Sequence, residues 1–198
     1  MGSGKTTVGK KLAKLLGERF LDADVELEAR TGRSVGAWFD EEGEEGFRAA
    51  EAELLVSVLA EPERVVLGAG GGVVVSEANR RALSADDVSV VYLHAEPAFL
   101  ASRAKAKPHR PLLDGDPTEI LTRMYAERDD WYRAVADAIV EVRPAHEVGE
   151  RPKWRLAEQV AEALVALGVV AADAVGPTPE PESGPLADTA VDPVEASS

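Results

Sequence analysis

Gly2-Ser3-Gly4-Lys5-Thr6 places two glycines, a lysine and a hydroxyl at the spacing that closes a phosphate-binding loop, G-x-x-x-x-G-K-[ST]. Glycines let backbone N–H groups approach phosphate oxygens with no Cβ in the way. Lys5 can put a mobile ammonium on the β- and γ-phosphates of a nucleotide such as ATP, and Thr6 a hydroxyl on Mg²⁺. Thr7 falls in the first turn of the helix that starts here, whose free N–H groups and dipole favour anions. The other reading, a chance Gly/Ser turn before a surface helix, is weakened by the amphipathic pattern that follows directly. Further along, Asp22 and Asp24 end a short apolar run, where they read either as an N-cap or as carboxylates near Mg²⁺ or a substrate hydroxyl. Arg48 opens a helix, against the sense of its dipole. Gly70, Gly71 and Gly72 follow a buried run and suit a ligand approaching the backbone. Arg103 and Arg110 are candidate phosphate contacts in and beside a Pro/Gly/basic stretch, 105–116, that reads as a mobile cover.

These groups need a scaffold. Val8, Leu12, Leu15 and Leu16 form one face of a helix over 5–16, with Gly17 as its stop. Strands are expected at 19–24, 65–67, 88–93 and 138–142, the third with the near-continuous apolar character of a buried parallel strand. Helices are expected at 25–30, from Ser34 through Trp38 and Phe39, at 46–60, 76–83, 96–105, 117–136 and 154–167, with a polar break at 40–46. Alternating strands and helices after a phosphate loop imply an α/β fold with a parallel sheet and a nucleotide at its edge. The loop pattern's first glycine would fall upstream of Met1, as would the strand that normally feeds such a loop. A central strand contributes ~6–12 kcal/mol if four apolar side chains are worth ~1.5–3 kcal/mol each, against ~5–15 kcal/mol for a whole domain. The expectation is a reading frame that extends upstream.

The chain has 198 residues, 45% of them hydrophobic, which suits a single domain with a sizeable core. A net charge of −14 argues against general binding to nucleic acid or anionic membranes. With no cysteine, disulfides and Cys-based metal sites are excluded. The absence of a long apolar run fits a cytoplasmic protein. From 171 the chain turns acidic and Pro-rich without a basic residue, and 171–198 is expected to be a disordered tail behind a domain spanning 1–170. His94, His109 and His146 have no partners in a readable pattern, and structural roles suit them better than proton shuttling.

The chain resembles the shikimate kinases from residue 1 to about 170, through Gly2-Ser-Gly-Lys-Thr6, Leu21-Asp-Ala-Asp24, Gly43-Glu-Glu-Gly-Phe-Arg48, Gly70-Gly-Gly72, Arg110-Pro-Leu-Leu113 and Arg128-Asp-Asp-Trp-Tyr132. Each piece is weak alone; their order and spacing together are specific. The resemblance implies a nucleoside-monophosphate-kinase-like three-layer sandwich with a lid, its first central strand lying outside this chain. It also implies transfer of the γ-phosphoryl of ATP to the 3-hydroxyl of shikimate, in aromatic amino acid biosynthesis, by a monomer. Arg48 and Arg128 would then hold the ring carboxylate, Asp24 the ring hydroxyls, and Gly70–Gly72 the acid through backbone, with Phe39 and Phe47 walling the ring. Lys5 and Arg110 would stabilise the transferring phosphoryl group and Arg103 the nucleotide. Thr6 would bind Mg²⁺ directly and Asp22 through water. The stretch 143–153, where the family contacts adenine, looks longer than usual and offers no single residue to carry over. Two other readings are a gluconate-kinase-like enzyme, which would need other groups at Arg48, Arg128 and the glycines, and an inactive nucleotide- or partner-binding module.

Overall fold

The computed structural model describes residues 2–104, 116–148 and 150–180. Helix α1 (Lys5–Leu16) leads to strand β1 (Arg19–Asp22), α2 (Ala23–Thr31) and α3 (Val35–Leu59). Then come β2 (Val65–Gly68), α4 (Glu77–Leu83), β3 (Val91–His94), α5 (Pro97–Ala104) and α6 (Pro117–Val135). The chain finishes with β4 (Ala138–Glu141), α7 (Val142–Glu147), α8 (Pro152–Ala166) and a short 3-10 turn at Ala172–Ala174.

The strands form two parallel pairs, β1 with β2 and β3 with β4, and among the described residues no ladder joins β2 to β3. Both pairs nevertheless rest on one helical layer. Val8, Leu12 and Leu15 of α1 and Leu156, Val160 and Leu164 of α8 form a core that takes in Val66 of β2, Val91 and Leu93 of β3 and Val140 of β4. On the opposite face, α2 and α3 cover β1 and β2 through Leu21, Leu27, Phe47, Leu54 and Val58. Helices on both faces of parallel strands are the three-layer α/β arrangement read from the sequence.

The sheet lies beneath one rim. β1 ends at Asp22, β2 runs into Ala69 and the glycines, and β3 ends at His94, so their carboxyl ends gather the candidate residues at one edge. Asp22 stops β1 and caps α2, its carboxylate accepting the Asp24 N–H at 3.2 Å. The expected polar break in α3 is a single residue, Gly43, at φ 69° and ψ −172°, and helix resumes on either side of it. β3 starts three residues later than expected, because the Val90 N–H goes to the Asp137 carboxylate at 2.7 Å instead of to a ladder. α7 was not anticipated. It buries Val142 and Ala145 on one side and ties Arg143 to Glu147 at 2.7 Å.

Residues 171–180, expected within the tail, lie against the body. Gly176 donates its N–H to Leu15 at 2.7 Å, Arg151 donates to the Pro179 carbonyl, Thr178 bonds Glu158, and Val175 packs on the α1/α8 core. Apolar contact with α1 and α8 supplies the burial that composition alone did not reveal. Among the described residues no helix is long and apolar enough to cross a membrane.

Candidate active site

The phosphate loop turns into α1 through Gly2 and Gly4, at φ 84° and 90°, backbone that side-chained residues rarely adopt. A Cβ on Gly4 would stand 2.1 Å from Lys153 Nζ, so a lysine from the start of α8 lies against this loop. Arg103, on the last turn of α5, donates Nε–H to the Gly2 carbonyl at 3.3 Å. Thr6 donates its hydroxyl to Asp22 Oδ2 at 2.7 Å. A hydroxyl and one carboxylate side by side suit Mg²⁺, which binds one or two carboxylates plus substrate phosphates and seldom uses an all-protein cage. Thr7 is exposed on the first turn of α1.

Beside the loop lies a cavity of about 350 Å³ whose lining includes Lys5, Asp24, Arg48, Glu51, the Gly70–Gly72 backbone and Arg128. Phe39 and Phe47 form one wall, with ring centroids 4.8 Å apart. Arg48 and Glu51 sit one turn apart on α3, and Arg48 Nη1 donates to Glu51 Oε2 at 2.8 Å. The Glu51 carboxyl is pushed above its usual range by burial, which the neighbouring Arg48 and Lys5 oppose. The Arg48 Nε–H is buried without a hydrogen-bond partner, a donor suited to an incoming carboxylate. From α6, Arg128 Nη1 and the Tyr132 hydroxyl both donate to the Gly71 carbonyl, the former at 3.3 Å. Gly70 and Gly72 allow close approach: a Cβ on Gly70 would stand 2.3 Å from Glu51 Oε1, and one on Gly72 1.8 Å from Arg48 Nη1.

Asp24 is the carboxylate between the two halves. Burial raises its pKa, Lys5 and Arg48 counter that, and Asp22 and Glu28 add to it. A desolvated carboxylate beside a phosphate-loop lysine is placed to take a proton from a bound hydroxyl.

The structure therefore gathers Gly2, Ser3, Gly4, Lys5, Thr6, Asp22 and Arg103 at the loop, and Asp24, Phe39, Phe47, Arg48, the three glycines and Arg128 around the adjoining cavity. Arg110 and the rest of the expected cover, 105–116, lie outside the described residues except for Asp116. Sequence reasoning passed over Glu51 and named Tyr132 only as the end of the Arg128–Tyr132 piece, with no role of its own. The spacing of Arg48 and Glu51 was an available signal, since residues three apart on a helix meet. The contact of Tyr132 with Gly71 spans two elements far apart in the chain, so no local pattern shows it.

The family model for shikimate kinase matches residues 1–166. The shikimate kinase of Nitrosococcus oceani is 42% identical over 165 residues, covering 83% of each chain. That of Halorhodospira halophila is 45% identical over 165 residues, covering 83% of this chain and 89% of its own. Among solved structures, the shikimate kinase from Acinetobacter baumannii in complex with shikimate aligns with a TM-score of 0.75 at 34% identity, over 86% of this chain and 91% of that one. Neither the gluconate-kinase-like reading nor the inactive module is favoured by these likenesses. A phosphate loop beside an arginine-lined cavity, on a scaffold and sequence shared with these relatives, places the chain in the shikimate kinase family.

Proposed function

We propose that this chain transfers the γ-phosphoryl group of ATP to the 3-hydroxyl of shikimate. The observation that carries the reading is the meeting of Lys5 and Arg48 around one half-buried carboxylate, Asp24, at the wall between the phosphate loop and the cavity. The ring carboxylate would lie between Arg48 and Arg128, the first offering its orphan Nε–H. The 3-hydroxyl oxygen attacks the γ-phosphorus, the bond to the ADP oxygen breaks, and the hydroxyl proton passes to Asp24. Lys5 and Arg110 stabilise charge on the moving group. Such reactions need chiefly positioning and charge stabilisation, which this arrangement offers.

Thr6 and Asp22 would hold Mg²⁺, which when bound neutralises charge on the phosphates. Gly2, Ser3, Gly4, Thr7 and Arg103 would complete the nucleotide site. Phe39, Phe47 and the backbone of Gly70, Gly71 and Gly72 would close round the acid, leaving the 105–116 stretch as its cover. The cavity suits a small molecule and the acidic net charge disfavours nucleic acid and anionic membranes, in keeping with a small-molecule enzyme that we take to be monomeric and cytoplasmic.

The test is ADP release with shikimate, with gluconate and with no acceptor. Turnover that depends on shikimate supports the proposal. Turnover indifferent to shikimate contradicts it.

A further inference from the structure

Helix α6 carries Arg128 to the cavity. Its buried residues are Leu121 near the start and Val135 at the end, Tyr132 packs into the apolar cluster around Val135, and Tyr125 and Asp129 meet the strands through hydrogen bonds. Tyr125, Asp129 and Tyr132 follow at i, i+4 and i+7, on the face that also bears Arg128.

At the strand ends, His94 and Glu141 are register partners on β3 and β4. His94 is 7% exposed, and its Nδ1 lies 2.8 and 2.7 Å from the two Glu141 oxygens. Glu141 accepts from Nδ1–H, and Nε2 lies within hydrogen-bond distance, 2.9 Å, of the Tyr125 hydroxyl. The neighbouring links continue along α6. Tyr92 donates to Asp129 Oδ1 at 3.0 Å, Arg133 Nε donates to Asp129 Oδ2 at 2.6 Å, and Tyr92 stacks on Tyr132 at 4.9 Å.

We infer that His94, held by Glu141, is a positioning residue that fixes the rotation of α6 through Tyr125 and thereby aims Arg128 at the acid substrate. The lever is short. A side-chain head ~5–6 Å from a helix axis moves ~1 Å for a rotation of ~10°, and an error of ~1 Å can cost ~100-fold in rate. The inference rests on the assignment of Arg128 to the acid, and the test separates the two.

Steady-state constants for both substrates are measured for His94→Ala, Tyr125→Phe, Arg128→Ala and the His94→Ala/Arg128→Ala pair. Tyr125→Phe removes one oxygen and keeps the ring, so it serves if His94→Ala fails to fold. Each network variant is expected to raise the KM for shikimate about tenfold, within the range that couplings inside one hydrogen-bond network produce, with the KM for ATP changed less than about twofold. In the Arg128→Ala background the effect of His94→Ala on that KM should vanish. A purely structural role would lower melting temperature and active fraction without moving KM, and that result overturns the inference. Additive effects of His94→Ala and Arg128→Ala overturn it too. Arg128→Ala with an unchanged KM for shikimate refutes the Arg128 assignment itself, and with it this inference.

Discussion

Arg48→Ala removes a guanidinium that pairs with Glu51 and Glu44 in the free protein and with the acid substrate in the complex. In the free protein its side chain is 17% exposed and sits 2.8 Å from a Glu51 carboxylate whose side chain is 6% exposed. Breaking a buried pair by deleting one member costs ~3–5 kcal/mol, because the other charge stays behind. Burial already raises the Glu51 pKa against the pull of Arg48, so without Arg48 the carboxyl takes up a proton more readily and recovers part of that loss. In the complex, hydrogen bonds to a charged group contribute ~1.5–3 kcal/mol. Two such bonds to the ring carboxylate set an expected rise of ~100-fold or more in the KM for shikimate. The KM for ATP should stay within about threefold, since the Arg48 hydrogen bonds go to Glu51 and Glu44 on its own helix. A coupled ADP-release assay gives both constants, and thermal unfolding gives the stability loss. Arg48→Ala/Glu51→Gln should regain most of the stability but none of the affinity for the acid. Equal losses for the two substrates, or a shikimate KM within about threefold of the parent, would refute the reasoning.

Gly72→Ala tests the same pocket from the backbone side: its Cβ would stand 1.8 Å from Arg48 Nη1, so shikimate affinity should fall as in Arg48→Ala while ATP binding holds, read by calorimetric titration of each ligand. Asp24→Asn should abolish turnover yet stabilise the fold near neutral pH. The folded-state pKa of Asp24 is raised, so the parent is most stable below the ordinary carboxylate value and loses stability as pH climbs to the raised one. Denaturant titrations of the two proteins should coincide in acid and diverge with rising pH; a constant difference contradicts the assignment. Truncation after Glu180 should leave melting temperature and turnover unchanged. Truncation after Val170 should lower the melting temperature by removing the Gly176–Leu15 bond and the Val175 contact.

Local signals carried much of this architecture. The apolar stripe of α1, the glycine after it, the serine caps at Ser34 and Ser76 and the Asp116-Pro117 start of α6 all depend on neighbours in the chain, and each element formed where those neighbours indicate. Where local and distant demands compete, the reading faltered. Val88 to Val90 have strand composition, but the Asp137 carboxylate claims the Val90 N–H. α7 hides behind Pro144, a residue that ordinarily argues against helix but is tolerated in a first turn. For the site, residue types in a recognisable order were enough to find Lys5, Asp24, Arg48, the glycines and Arg128. Glu51, Tyr132 and the His94–Tyr125 contact depend on which faces meet after folding. In particular, His94 and Tyr125 lie 31 positions apart with no periodic pattern linking them.

The central claim is convergence: an ammonium on a phosphate loop and two guanidinium groups facing the same small cavity. A crystal structure with ADP and shikimate bound tests it most directly. The account predicts the ring carboxylate between Arg48 and Arg128 and the 3-hydroxyl turned towards Asp24 and Lys5. Arginines pointing out to solvent, or an acid bound elsewhere, would contradict it.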